Sequence, residues 1–303
     1  MTDSHRIIID WGTSNFRAYR FAGDGEISAT HHAACGILSV ENGDFEATLL
    51  REIGSWIDAK SEIFLSGMIT SRNGWLETPY VEAPASLVDL RAGARSMVLA
   101  NGAKLSFLPG VCMRAPTPDV MRGEEIQVFG SIAPEETATL ILPGTHSKWV
   151  RVEEGRLTSF RTFMTGELFA TLKAHTILGR LIPPDNLAAD EVAFLKGVRQ
   201  AYAAGSAGIL HELFTARSGV LLGALAPKAI SEFLSGLLIG AEISGGGALG
   251  WADRPLVLVG DIKLCARYQQ ALEALGFACR TGPAEATVAG FRRLAGRQEA
   301  SHG

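Results

Sequence analysis

The chain has 303 residues, 47% of them hydrophobic and 20% charged, which is enough to bury a sizeable core and to build two domains of ordinary size. Its net charge of −4 offers no basic surface and argues against nucleic acid or an anionic membrane as a partner. The N-terminal MTDSHR lacks an apolar targeting segment, and the apolar stretch 233–243 is too short to span a bilayer, so a cytoplasmic protein is expected.

The first part of the chain predicts an antiparallel meander. Alternating and β-branched residues predict strands at 6–10, 16–21 and 26–33, separated by short polar turns. The elements predicted after this meander are, in chain order, a helix at 44–59, strands at 62–67 and 105–110, and a helix that begins near Gly123.

The same order of elements then occurs a second time. The later predictions are, in chain order, strands at 138–144, 148–155 and 156–164, helices at 166–176, 188–204, 207–217 and 226–243, a strand at 255–260, a helix at 262–276, a strand at 277–280 and a helix at 284–296. This coarse repeat predicts an α/β fold with two similar domains, 1–133 and 134–303, and a cleft between them.

The first turn of the first meander predicts a phosphate-binding loop. Gly12, Thr13, Ser14 and Asn15 let the backbone approach a ligand closely and present N–H groups and hydroxyls to anionic oxygens. Asp10, at the end of the preceding strand, would repel phosphate unless a divalent cation lay between them, which predicts Mg²⁺ held mostly through water. Taken alone, the segment also fits an ordinary hairpin turn with a solvated aspartate.

The first turn of the second meander repeats this chemistry. Gly144, Thr145, His146 and Ser147 follow an apolar strand in the same way, and Lys148 adds a positive charge. Two such turns in similar domains favour one shared phosphate ligand over two unrelated hairpins.

Other motifs give weaker signals. The segment GGGALG, 245–250, has the spacing of a dinucleotide-binding loop, but it follows a predicted helix instead of a strand, so we interpret it as a flexible loop. No GxxxxGK[ST] sequence supports a P-loop kinase. The four cysteines lack metal-binding spacing, so reduced thiols and no structural metal are expected.

The two turns carry a family resemblance. DWGTSNFR and LPGTHSKWV resemble the first and second phosphate motifs of the superfamily of acetate kinase, sugar kinases, heat-shock-protein-70 and actin. The segments SGMITSRNGW, MRGEEIQVFG, LPGTHSKWVRV and TFMTGELF narrow the resemblance to the 2-dehydro-3-deoxygalactonokinase family, across essentially the whole chain. It implies two ribonuclease-H-like domains and phosphorylation of 2-dehydro-3-deoxy-D-galactonate at its terminal 6-hydroxyl in galactonate breakdown, with ATP and Mg²⁺ as cofactors.

The resemblance also suggests a catalytic base. Phosphoryl transfer needs a carboxylate that accepts the proton of the acceptor hydroxyl. In related sugar kinases an aspartate after a glycine opens the helix before the second domain, and GEEIQVFG resembles that start with Glu124 in the aspartate's place. Glu124 is therefore the predicted base. Glutamate is one methylene longer than aspartate, so Glu125 and Asp119 stay as alternatives, and an acidic first turn would also suit the helix dipole.

The carboxylate and keto group of a sugar acid require hydrogen-bond donors. The loop SGMITSRNGW carries Ser71, Arg72 and Asn73, and Arg72 is the first candidate because a guanidinium binds a carboxylate through two parallel hydrogen bonds. Arg122, beside the predicted base, is the competing candidate. Arg17, on the strand after the first turn, would fix that turn or contact the phosphates.

By the same resemblance, the adenosine site lies in the second domain against Gly260 and Asp261. The superfamily motif has two adjacent glycines and Asp261 replaces the second, which leaves nucleotide preference open; a plain helix cap is the alternative role of Asp261. The alternative functions are a kinase for another sugar or sugar acid and a nucleotide-switched binding protein of the superfamily. A homodimer is the expected assembly.

Overall fold

The computed structural model describes residues 6–23, 25–183 and 189–295. Within these ranges the chain forms two compact units. Unit 1 contains the residues up to Glu135, the segment Glu154–Ser159 and the residues from Glu285 onward, and unit 2 contains Glu136–Glu153 and Phe160–Ala284. Each unit has its own sheet and its own hydrophobic core.

The main sheet of unit 1 has an inner strand that is buried on both faces. Its consecutive residues Ile7, Ile8 and Ile9 have no exposed surface. The strands of unit 1 are β1 (Arg6–Trp11), β2 (Phe16–Phe21), β3 (Ile27–Ala33), β4 (Glu62–Ser66), β5 (Val81–Glu82), β6 (Arg95–Val98), β7 (Lys104–Phe107), β8 (Val111–Met113) and β9 (Asp119–Met121). The main sheet has the order β3-β2-β1-β4-β7-β6, and a smaller sheet has the order β5-β8-β9.

Unit 2 repeats this topology. The strands of its sheet are β10 (Ala138–Leu142), β11 (Ser147–Glu153), β12 (Arg156–Phe163), β13 (Leu256–Leu258) and β14 (Cys279–Thr281). The first four residues of β12 are assigned to unit 1. Their order is β12-β11-β10-β13-β14, and in both units the first strand is antiparallel to the second and parallel to the fourth. Both sheets share the order of third, second, first and fourth strand, followed by one further parallel strand, β7 in unit 1 and β14 in unit 2. This shared order confirms the predicted α/β fold with two similar, ribonuclease-H-like units.

The helices are α1 (Phe45–Ile53), α2 (Leu87–Ala92), α3 (Glu124–Ser131), α4 (Thr165–His175), α5 (Glu191–Ala204), α6 (Ile209–Leu221), α7 (Ile230–Ala248), α8 (Ile262–Ala274) and α9 (Ala286–Ala295). Some of the helices begin at residues whose side chains cap them, among them α1, α2, α5 and α8. Asp44 accepts a hydrogen bond from the Ala47 N–H at the start of α1, and Ser86 forms a capping box with Asp89 at the start of α2. No helix within the described residues is long and apolar enough to cross a membrane.

The structure differs from the predicted elements most clearly at two places in unit 1. Between residues 68 and 122 the sequence predicts one strand, whereas the chain forms β5 to β9 and α2, because elements of two to six residues carry too little periodicity to be recognised. The predicted helix at 44–59 ends as α-helix at Ile53. The predicted start of the helix at 188–204 and the predicted end of the helix at 284–296 lie outside the described residues.

The glycine segment 245–250 was wrongly interpreted as a loop. Gly245, Gly246 and Gly247 form the last turn of α7. A Cβ at Gly246 would lie 2.4 Å from the Trp149 ring, so the helix needs glycine there to pack against the indole. Tertiary packing therefore outweighs the poor helix propensity of the three glycines.

The division into units also differs from the predicted domains at the end of the chain. The sequence assigns the last helix to the second domain, whereas α9 belongs to unit 1. The backbones of α9 and α3 approach so closely that a Cβ at Gly130 would lie 1.9 Å from the Ala286 carbonyl oxygen, and one at Gly290 would lie 2.0 Å from the Ile126 carbonyl oxygen. Glycines on both helices make this contact possible.

Candidate functional site

The first turn connects β1 to β2 and has an exposed tip. The Gly12 N–H donates to the Asn15 carbonyl at 2.8 Å, which closes the turn, and the side chains of Thr13, Ser14 and Asn15 are exposed. Gly36 supports the turn from behind, since a Cβ there would lie 2.1 Å from the Thr13 carbonyl oxygen. The structure thus has the small, ligand-accessible turn that the sequence predicts.

Asp10 lies beneath this turn in a largely buried position. Its side chain is 21% exposed, and Oδ2 lies 3.6 Å from Nη1 of Arg17, which β2 places opposite it. Burial raises the pKa of Asp10 to about 6; the Arg17 charge opposes that shift and the Glu124 charge adds to it. The carboxylates of Asp10 and Glu124 therefore lie within electrostatic range of each other.

Two glycines allow the end of β4 and the start of α3 to meet beside Asp10. Gly67 has φ +92°, and a Cβ there would lie 3.1 Å from Asp10 Oδ1. Gly123 has φ +112°, and a Cβ there would lie 3.3 Å from the Gly67 Cα. Both conformations are ones that side-chain-bearing residues rarely adopt, so glycine is required at each position.

The two glutamates at the start of α3 have different environments. Glu124 is half-buried and its Oε2 accepts a hydrogen bond from the Arg122 N–H at 3.0 Å. Glu125 is fully buried, and its carboxylate accepts from the Gly123 N–H at 2.7 Å and from the Ser66 hydroxyl at 3.3 Å. Burial, reinforced by the Glu124 charge, raises the pKa of Glu125 to about 7. Of the two, only Glu124 has exposed surface with which to reach a ligand.

The remaining base candidate, Asp119, begins β9 in the small sheet. Its Oδ1 accepts a hydrogen bond from the neighbouring Val120 N–H at 2.8 Å. Asp119 thus lies on the strand before α3, whereas Glu124 and Glu125 lie in the first turn of that helix.

The predicted substrate residues lie on one loop of unit 1. Arg72 and Asn73 are exposed at its tip, while the Ser71 hydroxyl donates to the Met68 carbonyl at 2.6 Å. A Cβ at Gly74 would lie 2.2 Å from the Ile69 carbonyl oxygen, so the loop turns back closely on itself.

Arg122 holds this loop in place from the side of α3. Its Nη1 donates to the carbonyl and hydroxyl of Thr70, each at 2.7 Å, and to the Thr78 hydroxyl at 2.8 Å, while Nη2 donates to the Thr78 carbonyl at 3.0 Å. The guanidinium also lies 4.3 Å from the centre of the Tyr80 ring. These contacts occupy the terminal nitrogens with protein acceptors, so Arg122 is suited to positioning the loop.

The second turn, between β10 and β11, has two exposed and two buried predicted residues. Thr145 and His146 are exposed, and Gly144 is partly exposed. Ser147 is fully buried and Lys148 is 4% exposed, with its Nζ donating to the His146 carbonyl at 3.0 Å. Sequence reasoning placed all five against phosphate, but the buried Ser147 hydroxyl faces the core of unit 2.

The start of α4 packs directly against this turn. The Glu167 N–H donates to the Thr145 carbonyl at 3.0 Å, and the Glu167 carboxylate is hydrogen-bonded to the His146 ring. A Cβ at Gly166 would lie 2.5 Å from the Gly144 carbonyl oxygen. The turn and the helix start therefore form one continuous surface.

Sequence reasoning missed a buried carboxylate behind the second turn. Glu242 lies in the middle of α7, 3% exposed, and accepts hydrogen bonds from side chains of three other elements. The donors are Ser147, Trp149, Thr165 and Tyr268. The available signal was an acidic residue inside the apolar stretch 233–243, since a charged group in such a position is almost always partnered.

A cavity of about 820 Å³ adjoins the second turn within unit 2. Gly144, Thr145 and Gly166 line one side of it, and Asp261 lines another. The residues that complete its wall include Phe169, Lys173, Ser231, Glu232, Leu238, Arg267 and Tyr268. Its volume lies within the range of small-molecule sites in proteins.

The predicted adenosine residues lie at this cavity. Asp261 caps α8, because its Oδ1 accepts hydrogen bonds from the N–H groups of Lys263 and Leu264, both at 3.0 Å. Gly260 precedes it with φ +132°, and a Cβ there would lie 3.7 Å from the Pro143 carbonyl oxygen. The turn after β13 and the second phosphate turn are therefore neighbours at one edge of the sheet.

Comparison with known proteins identifies the family to which the chain is similar. A family model described as 2-keto-3-deoxy-galactonokinase matches residues 10–294. The chain is 36% identical over 272 residues to a 2-dehydro-3-deoxygalactonokinase of Escherichia coli (strain K12), covering 89% of this chain and 90% of the relative. It is also 36% identical over 292 residues to a Rhizobium meliloti (strain 1021) protein assigned as the same kinase, covering 95% of each.

A solved structure shows that the similarity extends to the fold. The crystal structure of a Sinorhizobium meliloti protein assigned as a 2-dehydro-3-deoxygalactonokinase matches with a TM-score of 0.86 at 35% identity, covering 96% of this chain and 98% of that one. Since the family model and the relatives each match nearly the whole length, the chain belongs to the 2-dehydro-3-deoxygalactonokinase family, whose members are ATP-dependent sugar-acid kinases and thus phosphotransferases with an alcohol acceptor.

Proposed function

We propose that the protein transfers the γ-phosphoryl group of ATP to the terminal hydroxyl of 2-dehydro-3-deoxy-D-galactonate. Beyond family membership, one observation supports this: the carboxylates of Asp10 and Glu124 interact beside a glycine turn with an exposed tip. A kinase needs these components close together, namely phosphate-binding backbone, a carboxylate for a cation and a carboxylate base.

Glu124 is the proposed base. In the reaction the terminal hydroxyl oxygen forms a bond to the γ-phosphorus, the bond from that phosphorus to the bridging oxygen of ADP breaks, and the hydroxyl proton passes to the Glu124 carboxylate. The Arg122 N–H that donates to Glu124 keeps the side chain oriented. Glu125 is buried and is proposed to hold Gly123 and Ser66 together instead.

The residues around Asp10 fit a magnesium ion. Burial and the neighbouring Glu124 both disfavour the ionised form of Asp10, and a cation beside it would relieve this cost. No group of three or more His, Cys, Asp or Glu within the described ranges could enclose a metal ion, so we place Mg²⁺ on the Asp10 carboxylate, mostly through water. When bound, the ion would neutralise charge on the phosphates.

Each of the two turns is proposed to bind phosphate oxygens of ATP, and the cavity of unit 2 is proposed to bind its adenosine. Phosphate oxygens would accept hydrogen bonds from the first turn, Gly12–Asn15, and from Gly144, Thr145 and His146 of the second. Arg17 and Lys148 would contribute positive charge. The adenosine would occupy the unit 2 cavity against Gly260 and Asp261, where Phe169 offers an aromatic face.

The loop Ser71–Asn73 is proposed to bind the sugar acid. Arg72 is exposed and can offer two parallel hydrogen bonds to the carboxylate. Ser71 and Asn73 would contact the remaining oxygens, and Arg122 would act by holding the loop through Thr70 and Thr78. The cytoplasmic location and the homodimer stay predictions.

The test is coupled ADP release with Mg²⁺-ATP and a panel of 2-keto-3-deoxy sugar acids that includes the galactonate-derived and gluconate-derived compounds. We expect the galactonate-derived acid to be turned over best, and Glu124→Gln to lower kcat by roughly 100-fold or more while ATP still binds. Glu125→Gln is the matched control and should lower kcat far less. Turnover that survives Glu124→Gln would move the base to Glu125 or Asp119, and a preference for another acid would reassign the substrate.

A further inference from the structure

The hydrogen-bond donors around Glu242 match its carboxylate in number and kind. Ser147 and Trp149 donate to Oε1 at 2.6 and 2.9 Å, and Thr165 and Tyr268 donate to Oε2, the latter at 2.6 Å. Each of the four groups carries one donor hydrogen, and an ionised carboxylate offers about four acceptor sites. The arrangement is therefore complete only when residue 242 is an acceptor at both oxygens.

The four donors come from elements that surround the second phosphate turn. Ser147 is the first residue of β11, immediately after the turn, and Thr165 is the first residue of α4, whose start packs on the turn. Tyr268, on α8, lines the same cavity as Thr165. One carboxylate thus connects β11, α4 and α8 at the point where the turn and the cavity meet.

The two phosphate turns differ in the carboxylate that lies near them. Aligning Gly12 with Gly144 places Asp10 of unit 1 opposite Leu142 of unit 2, so the strand before the second turn carries no acid. In unit 2 the carboxylate near the turn is that of Glu242, which lies on the helix α7 and not on the strand before the turn. Unlike Asp10, it is almost fully enclosed and all four of its partners are neutral donors, so it is suited to fixing protein groups and not to contacting a ligand.

We propose that Glu242 is a positioning residue for the nucleotide, which holds the second turn and the start of α4 in the geometry that binds phosphate. This inference rests on the proposed function only in assigning the phosphates to that turn. Burial raises the pKa of Glu242, and its four hydrogen bonds oppose part of that shift.

The test compares Glu242→Gln with Leu237→Ala, a substitution of a fully buried residue on the same helix that does not line the cavity. Glutamine accepts at one oxygen only, and the indole N–H of Trp149 can only donate, so the amide oxygen must face Ser147 and Trp149. The amide nitrogen then replaces the acceptor of Thr165 and Tyr268, at the start of α4 and on α8. We expect Glu242→Gln to raise the KM for ATP and the Kd for ADP by about tenfold, with the KM for the sugar acid unchanged. Leu237→Ala should lower the melting temperature without changing either nucleotide constant.

Ser147→Ala keeps the proposal testable if Glu242→Gln folds poorly, because loss of this donor alone should also raise the Kd for ADP. Where both variants fold, a double-mutant cycle tests whether Ser147 acts through Glu242. Ser147→Ala removes one donor, and if Ser147 acts through Glu242, the double variant should bind ADP no more weakly than Glu242→Gln alone. Additive effects, or equal nucleotide constants in Glu242→Gln and Leu237→Ala, would overturn the proposal. Calorimetric binding of ADP distinguishes a failure of the proposed function from a failure of the role of Glu242. A wild type that binds no nucleotide contradicts the proposed function. Wild-type affinity for ADP in Glu242→Gln contradicts only the role of Glu242.

Discussion

Glu125 is fully buried at the start of α3, and its raised pKa makes the stability of the protein depend on pH. The pKa is about 7 in the folded chain against an ordinary value of 4.5, so between these values the folded state binds more protons than the unfolded state. The free energy of unfolding should therefore fall as the pH rises from 4.5 to 7, by about 3 kcal/mol at most.

Glu125→Gln should remove this contribution, because glutamine resembles the protonated side chain and does not titrate. Urea unfolding at pH 5 and pH 8 should show a smaller loss of stability in the variant than in the wild type. Asp10, whose pKa is raised to about 6, acts in the same direction, so the free energy of unfolding of Glu125→Gln should still fall as the pH rises. Identical slopes for the two proteins would show that Glu125 ionises normally.

Arg72 lies on the substrate loop and Arg122 contacts that loop through Thr70, but truncating the two side chains should have different effects. Arg122→Ala would remove the guanidinium that donates to the buried hydroxyl oxygens of Thr70 and Thr78, which should destabilise the protein by about 1–3 kcal/mol. Arg72→Ala removes an exposed side chain, so it should raise the KM for the sugar acid and leave the melting temperature within error. Kinetics and thermal unfolding of both variants check this; a stable Arg122→Ala would contradict the positioning role.

At the scale of elements, the end of α7 offers two adjacent glycines with opposite surroundings. A Cβ at Gly246 would collide with the Trp149 ring at 2.4 Å, whereas one at Gly247 would meet nothing within 4 Å. Gly246→Ala should therefore destabilise the protein by about 1–3 kcal/mol through overpacking. Gly247→Ala should stabilise it by about 0.5–1 kcal/mol, because alanine is the better helix former.

Thermal unfolding and tryptophan fluorescence check this pair. Gly246→Ala should change the emission of the protein, because Trp149 must move, whereas Gly247→Ala should leave the spectrum unchanged. Equal effects of the two substitutions would mean that α7 does not pack on the indole as described.

The predictability of the elements follows their length and the range of their contacts. Both meanders could be predicted because their strands are apolar or alternating runs of five to eight residues that pair with neighbours in sequence. The turns could be identified because small polar residues directly follow apolar strands. The pairing of the two-residue strand β5 with β8, and the four donors of Glu242, depend on contacts between distant parts of the chain that no local pattern records.

At the scale of the whole molecule, unit 1 depends on residues at both ends of the chain. Gly290→Ala would place a Cβ 2.0 Å from the Ile126 carbonyl oxygen, and backbone cannot easily yield, so α9 should separate from α3. Hydrogen exchange should then increase in unit 1 peptides, including β1 and β4, and stay unchanged in the sheet of unit 2. Arg292→Ala, which removes an exposed ion pair with Glu26, is the control on the same helix and should change little. Equal exchange in both units after Gly290→Ala would contradict the assignment of α9 to unit 1.

The return of α9 to unit 1 has a consequence for synthesis on the ribosome. Translation delivers the chain from its N-terminus, so the sheet of unit 1 is made first but its last helix is made at the end. Unit 2 ends at Ala284 and contains all of its own strands and helices by then. We therefore expect unit 2 to complete its fold before unit 1, although its synthesis begins later. Until α9 is made, the face of α3 that α9 covers stays exposed in the nascent polypeptide.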